Sequence, residues 1–311
     1  MRTKRKFAKI NLKLRKQEIF QSYAMIGLSV AGLALFVVYP LLWALRWCLY
    51  NYSGIGEPRY IGFANFANAF SEGGQRYWQS VGNTFVFAFG KLLIELPLAL
   101  FLAYILSDKL KGRSFFRTIF YLPGMLSMAV IGIVFFYIFG SYNGVVNSIL
   151  NAIGLKSILW FSEGGTAMFV MMLASIWQNF GLNMLFFMTG LQSIPADIYD
   201  SAAIDGASAT RRFFSITLPM LAPVAQMIIL NALLGSLKTA ELVLAMTNGA
   251  PNGKTEFMMS YIYKQFFSST MLGTSNNYGF ASALVLITSI IMGIVTVIYL
   301  YVTKKGSELY E

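Results

Sequence analysis

The sequence contains no histidine and a single cysteine, Cys48, in 311 residues. No disulfide can form within the chain, and no Cys/His metal cluster can be assembled. The usual general base near neutral pH is missing with histidine. Carboxylates, the remaining acid–base groups, are also scarce, at 13 Asp and Glu. Charged residues make up 12% of the chain and apolar residues 57%, and the mean hydropathy is +0.61. A soluble fold of this length needs a far larger charged surface, so most of this surface is expected to face lipid.

The charge that is present is unbalanced, at a net +11. A nucleic-acid partner would be one explanation, but eight of the 24 Lys and Arg precede residue 17 and no nucleic-acid-binding motif follows. A basic tail beside anionic membrane lipid accounts for the pattern better.

A hydrocarbon core of about 30 Å needs about 20 helical residues to cross it. Six apolar runs qualify, at roughly 21–48, 82–106, 117–140, 166–191, 217–246 and 279–303. The first is too long for the apolar region of a cleaved signal peptide and is expected to stay as an anchor. Basic residues alternate between the intervening segments. The tail 1–20, Lys109, Lys111, Arg113, Arg117, Arg211, Arg212, Lys304 and Lys305 fall on one side. Arg59, Arg76, Lys156, Lys254 and Lys264 fall on the other. The balance is sixteen to five, which predicts that both termini, including the tail 304–311, are cytoplasmic. Pro40, Pro97, Pro123, Pro219 and Pro223 lie in or beside these runs and predict kinks or gating points.

The segment 194–223 reads IPADIYDSAAIDGASATRRFFSITLPMLAP. Pro195 and Asp197 suit a helix start, the helix continues through Asp200 to Ile204, and Gly206 supplies the left-handed residue that ends it. A second short helix is expected over Ala209 to Phe214. The segment is too apolar for a free linker and fits a groove on another protein. It resembles the EAA loop of ABC importer permeases. The resembling residues are Tyr199, Asp200, Ser201, Ala202, Ala203, Ile204, Asp205, Gly206 and Ala207, followed by Phe214, Ile216, Leu218 and Pro219. Asp200 stands where glutamate is usual, and Ser201 replaces an alanine. GFANF at 62–66, Asn83-Thr84, FFRTIFYLP at 115–123, GVVNSIL at 144–150 and Thr247-Asn248-Gly249-Ala250-Pro251 extend the likeness over nearly the whole chain. Together they resemble the carbohydrate subfamily, related to maltose and glycerol-phosphate permeases.

That resemblance implies an all-α, six-span type I importer fold over 21–303, in a bacterial cell membrane. It implies an ATPase-coupling surface built from Tyr199 to Ala203, Asp205, Gly206, Ala207, Arg211 and Phe214. It also implies a homologous second permease, two cytoplasmic ATPase subunits carrying ATP and Mg, an extracellular substrate-binding protein and a carbohydrate substrate. No cofactor is expected on this chain and no nucleic acid. A solute other than sugar, an ion-coupled secondary transporter and a membrane-embedded enzyme are the rival readings. The last has only Asp197, Asp200 and Asp205 to offer as clustered acid–base groups.

Polar residues within the apolar runs suggest a pathway. The fourth run carries Trp177, Gln178, Asn179 and Asn183; the fifth carries Asn231, Ser236, Lys238, Thr239 and Glu241. Planar amides, hydroxyls and an aromatic ring suit sugar, while hydrogen bonding between helices is the structural alternative. Lys91 and Glu95, four apart, read as a self-neutralising pair, and Lys238 and Glu241 are expected on one helical face. The run Gly249 to Thr255 superficially resembles a phosphate loop, but its glycines are too close and no strand precedes it.

Overall fold

The computed structural model describes residues 21–107, 112–267 and 276–307. The basic tail 1–20, Lys109, Lys111 and residues 308–311 lie outside the described residues. Five helices are long and apolar enough to cross a membrane, and a bent helix pair makes six if it counts as one span. The long helices are α1 (Gln21–Leu49), α3 (Gln75–Ser107), α7 (Gly164–Gln192), α9 (Ala209–Leu237) and α12 (Tyr278–Ser307). Strands are confined among the described residues to β1 (Tyr50–Asn51) and β2 (Arg59–Tyr60), paired antiparallel. Shorter helices fill the connections: α2 (Ala64–Ala69), α4 (Arg113–Tyr121), α5 (Met128–Ile138), α6 (Val145–Ala152), α8 (Ala196–Ile204), α10 (Glu241–Met246) and α11 (Met258–Phe267).

The packing fixes the relative directions of the spans. Phe87 shares a core with Met171, and Ala103 shares one with Met188, so α3 and α7 run parallel. Leu221 of α9 lies beside the second of these cores and Leu237 beside the start of α3, so α9 runs antiparallel to both. Tyr77 of α3 bonds Thr288 of α12 at 2.8 Å, and Tyr299 donates to the Gln226 carbonyl at 2.7 Å. The ends of α3, α7 and α12 therefore gather with α8 at one end of the bundle, the α8 end. At the far end lie the end of α1, with Tyr52 three residues beyond it accepting from the Gly279 N–H, and the loop 247–257.

Three of the six apolar runs match their helices closely and α3 starts seven residues before its run, at Gln75, because a long apolar helix needs no special residue to keep it going. Two do not. The third run, expected as one span over 117–140, is broken: Arg113–Met125 and Met128–Ile138 meet at 98°. Pro123 and Gly124 interrupt the helix, and Ser127 restarts it by accepting the Val130 N–H. A break at this depth frees carbonyls that lipid cannot satisfy. Gln178 of α7 donates to the freed Leu126 carbonyl at 2.8 Å.

The fifth run, expected over 217–246, ends as a helix at Leu237. Ser236 and Thr239 hydroxyls bond back to the Ala232 and Gly235 carbonyls, a competition that favours termination. Lys238 caps the C-terminal end of α9 and Glu241 opens α10, so each charge sits at the helix end its sign favours. The two are thus on different helices, not on one face. At its other end α9 begins earlier than expected. The second short helix, anticipated as separate over Ala209 to Phe214, runs into the span through a π-helical turn at Phe213–Thr217.

Gly181 sets the closest approach of α7 to α4: a Cβ there would collide with the Phe120 carbonyl. Gly181→Val should separate the two helices and destabilise the detergent-solubilised protein by about 1–3 kcal/mol. A thermal unfolding midpoint equal to that of the parent chain would refute this packing.

Candidate functional site: a bundle with a handle, a buried junction and a far-end cleft

At the α8 end, Gly206 adopts φ +75° and closes α8 as expected, with Gly206 N–H on Ala203 O and Ala207 N–H on Ala202 O. Ser208 then caps α9 by accepting the Arg211 N–H at 3.3 Å. The predicted coupling residues divide into two groups. Asp200, Ser201, Ala203, Asp205, Gly206, Arg211 and Phe214 are exposed, and Ile204, beside them, is 87% exposed. Tyr199, Ala202 and Ala207 are partly buried. Tyr199 bonds Thr217 through its hydroxyl at 2.9 Å, tying α8 to the π-helical turn of α9. Phe213 packs edge-on against Tyr104 of α3 at 5.0 Å. α8 is therefore strapped to the spans on one side and bare on the other, which gives it the form of a handle.

Between the two ends lies a charged junction. Lys91 Nζ is 3.2 Å from Glu95 Oε2, with both side chains buried. Asn183 of α7 donates to Glu95 Oε1 at 2.6 Å, and Lys91 donates to the Ser236 hydroxyl of α9 at 3.3 Å. One ion pair on α3 thus joins three spans. Asn183 and Ser236, suggested by the sequence as pathway groups, are 5% and 0% exposed and are engaged in this junction. Gln178 serves the broken span. Asn179 donates to the Ser175 carbonyl of its own helix, and Thr239 to its own helix as described. Trp177, Asn231, Lys238 and Glu241 are exposed, and Trp177 packs on Phe135 at 5.6 Å. Among the described residues Lys238 and Glu241 form no ion pair.

At the far end, the loop 247–257 folds over the start of α3. Asn83 donates to the Gly253 and Glu256 carbonyls at 2.9 and 3.0 Å, and Thr84 accepts the Met258 N–H at 3.0 Å. Thr255 bonds Thr247 at 2.8 Å, closing the loop on itself. A cleft of about 600 Å³ opens between this loop, α3 and α11. Glu256 is buried there and accepts from Lys264 at 2.6 Å. Burial raises the Tyr261 phenol above its ordinary value, and the nearby Arg76 charge opposes that shift. Sequence reasoning did not single out Glu256 and Lys264. Eight apart across a turn, they show no helical spacing, and the only signal was two opposite charges in a weakly charged chain.

Five long apolar helices and a bent pair, an exposed short helix at one end and a polar cleft at the other make up the architecture of a membrane-embedded solute permease. The profile of the family described as the binding-protein-dependent transport system inner membrane component matches residues 95–306. The chain belongs to that family. It is 32% identical over 305 residues to a probable ABC transporter permease protein, YesP, of Bacillus subtilis, covering 96% of this chain and 94% of that one. It is 30% identical to the multiple sugar-binding transport system permease protein MsmF of Streptococcus mutans, with 87% and 90% covered. Its fold matches a chain in the crystal structure of a bacterial ABC transporter involved in alginate import. The TM-score there is 0.81 at 20% identity, over 95% of this chain and 99% of that one.

The junction makes a quantitative prediction. Lys91→Met leaves Glu95 buried without its counter-ion, which costs about 3–5 kcal/mol. Replacing both residues with apolar ones of similar volume should restore much of that loss. Thermal midpoints of the two variants in detergent would decide: a double variant as damaged as the single one would contradict the assignment.

Proposed function

We propose that this chain is one half of the translocation pore of a bacterial carbohydrate importer, driven by ATP hydrolysed on other subunits. The single observation that carries the reading is the handle: α8 is bare on one side and strapped through Tyr199 to α9, whose Phe213 in turn packs on Tyr104 of α3. Energy applied there moves α3 and α9 together. A six-helix half needs a second half, so a homologous permease completes the pore. Two cytoplasmic ATPase subunits, carrying ATP and Mg, grip α8 and its partner equivalent. An extracellular binding protein delivers the substrate.

Orientation follows from charge. The α8 end carries Arg113, Arg117, Arg211, Arg212, Lys304 and Lys305, so it is the cytoplasmic end by the positive-inside rule. The far-end cleft then faces outward. Carbohydrate is the substrate class that the relatives' names support, MsmF among them, and the exposed Trp177 and Asn231 are suitable lining. Asn179, Lys238, Thr239 and Glu241 complete the proposed pathway. Asn183 and Ser236 contribute to it through the junction, where they hold α7 and α9 in register. The mechanism is a rigid-body rock: ATP-driven closure of the ATPase pair pulls on α8 and exposes the pathway alternately to each side.

Reconstitution tests this reading. The chain, its partner permease and the ATPase should take up labelled oligosaccharide into proteoliposomes when ATP and loaded binding protein are present. Uptake of a non-carbohydrate solute alone would overturn the substrate class, and uptake without ATP would overturn the mechanism.

Two substitutions separate grip from transmission. Ile204→Glu should abolish capture of the ATPase on affinity resin. Tyr199→Phe should keep that capture while lowering uptake several-fold, because the handle stays intact but its bond to Thr217 is lost. Equal behaviour of the two variants would contradict the division of α8 into a bare side and a strapped side.

A further inference from the structure

The far-end cleft contains more chemistry than a loop scaffold needs. Its volume of about 600 Å³ lies within the range of small-ligand sites. Its polar lining includes Arg76, Gln79, Asn252, Tyr261, Lys264 and Gln265. Asn248 and Asn252 hold backbone φ of +49° and +48°, a conformation that costs energy and recurs at binding loops. Thr247, Thr255 and Asn83 brace that loop, so the cleft wall is fixed before any ligand arrives.

The charges within the cleft are unevenly committed. Glu256 is neutralised by Lys264, and Lys264 also donates to the Asn248 carbonyl at 2.8 Å. Two of the three ammonium donors are thereby used. Arg76 is exposed and makes no ion pair among the described residues. It stands in the first turn of α3, where the helix dipole also favours negative charge. A guanidinium offers a planar fork that fits a carboxylate bidentately. Gln79 and Gln265 line the cleft with amides for hydroxyl groups, Gln265 already bonding the half-buried Tyr261 beside it.

We propose that this cleft is a saccharide-binding subsite outside the membrane pathway, selective for sugars that carry a carboxylate. Arg76 takes the carboxylate, the flanking amides take hydroxyls, and Lys264 contributes its third donor. The subsite rests on the proposed carbohydrate reading and extends it. It holds an acidic sugar at the mouth of the pore, between release from the binding protein and passage inward.

The test is a titration of the full chain in lipid nanodiscs, without binding protein, using trigalacturonate and maltotriose as probes. Trigalacturonate should bind in the millimolar range or tighter, and maltotriose more weakly. Arg76→Ala should weaken trigalacturonate by about tenfold or more, the effect expected for one charge-assisted contact, and leave maltotriose unchanged. Arg76→Lys should fall between. Capture of the ATPase by the Arg76→Ala chain, read at the opposite end of the molecule, reports that the variant is folded. Equal binding of the two probes, or trigalacturonate binding indifferent to Arg76, overturns the proposal. It is also overturned if Arg76→Ala leaves saccharide affinity intact and, in a parallel pull-down with unloaded binding protein, abolishes capture of that protein, which would make the cleft a protein dock. Loss of the subsite leaves ATP-driven uptake of neutral sugar standing, whereas failure of the importer reading removes uptake and leaves this titration untouched.

Discussion

One buried ion pair holds the three long central helices to a common register. Lys91 and Glu95 sit four residues apart on α3, and each reaches a different neighbour: Ser236 on α9 and Asn183 on α7. Apolar packing between membrane helices discriminates poorly among registers, since lipid tails are as apolar as leucine. A buried charge pair does discriminate, because sliding α7 or α9 by a turn would take Asn183 from Glu95 or Ser236 from Lys91 and leave a buried ion short of a hydrogen-bond partner in a low-dielectric medium. Its net contribution to stability is expected to be small. Its contribution to specificity is large, and both ends of the molecule depend on it: α9 ends one residue beyond Ser236, and α7 carries Gln178 to the broken span.

Amide side chains perform the same service at several points where the backbone leaves the helix. Gln178 caps the elbow at Leu126. Asn65 donates to the Cys48 and Tyr50 carbonyls at 2.9 and 3.0 Å, fastening α2 to the end of α1. Asn147 joins α6 to Ile158 and Trp160. Asn83 fastens the loop 247–257. Three of these amides lie in the segments on which the family likeness rests, GFANF, Asn83-Thr84 and GVVNSIL. The motifs thus read physically as tethers for irregular backbone, which lipid cannot solvate.

This explains what could and could not be read from the chain alone. Hydropathy alone located α1, α7, α12 and most of α3, because long apolar faces are local properties. The end of α8 was legible because Gly206 is needed for a left-handed residue. The 98° elbow was not, since Pro123 is compatible with either a kink or a break and the deciding partner, Gln178, lies 52 residues beyond Leu126. Nor was the end of α9, where Ser236, Lys238 and Thr239 favour termination without requiring it. For the candidate site, the exposed side of α8 was foreseeable, but the inward role of Tyr199 was not. Asn183 and Ser236 were read from the sequence as pathway groups, yet the side chains they bond are on α3, and only the folded arrangement brings Lys91 and Glu95 to them.

Taken together, the junction and the packing of α3, α7 and α9 describe a stiff body, which the proposed transport cycle moves as a unit. The most direct measurement is a distance across that body during the ATPase cycle. Spin labels at Gln192→Cys, at the α8 end of α7, and Asn252→Cys, in the far-end loop, span the chain, while the native Cys48 is buried. In the assembled complex, the distance within one chain should be the same with and without ATP, while distances to the partner permease change. A shift of the intrachain distribution by several ångströms on ATP binding would contradict the account and place the motion inside the bundle.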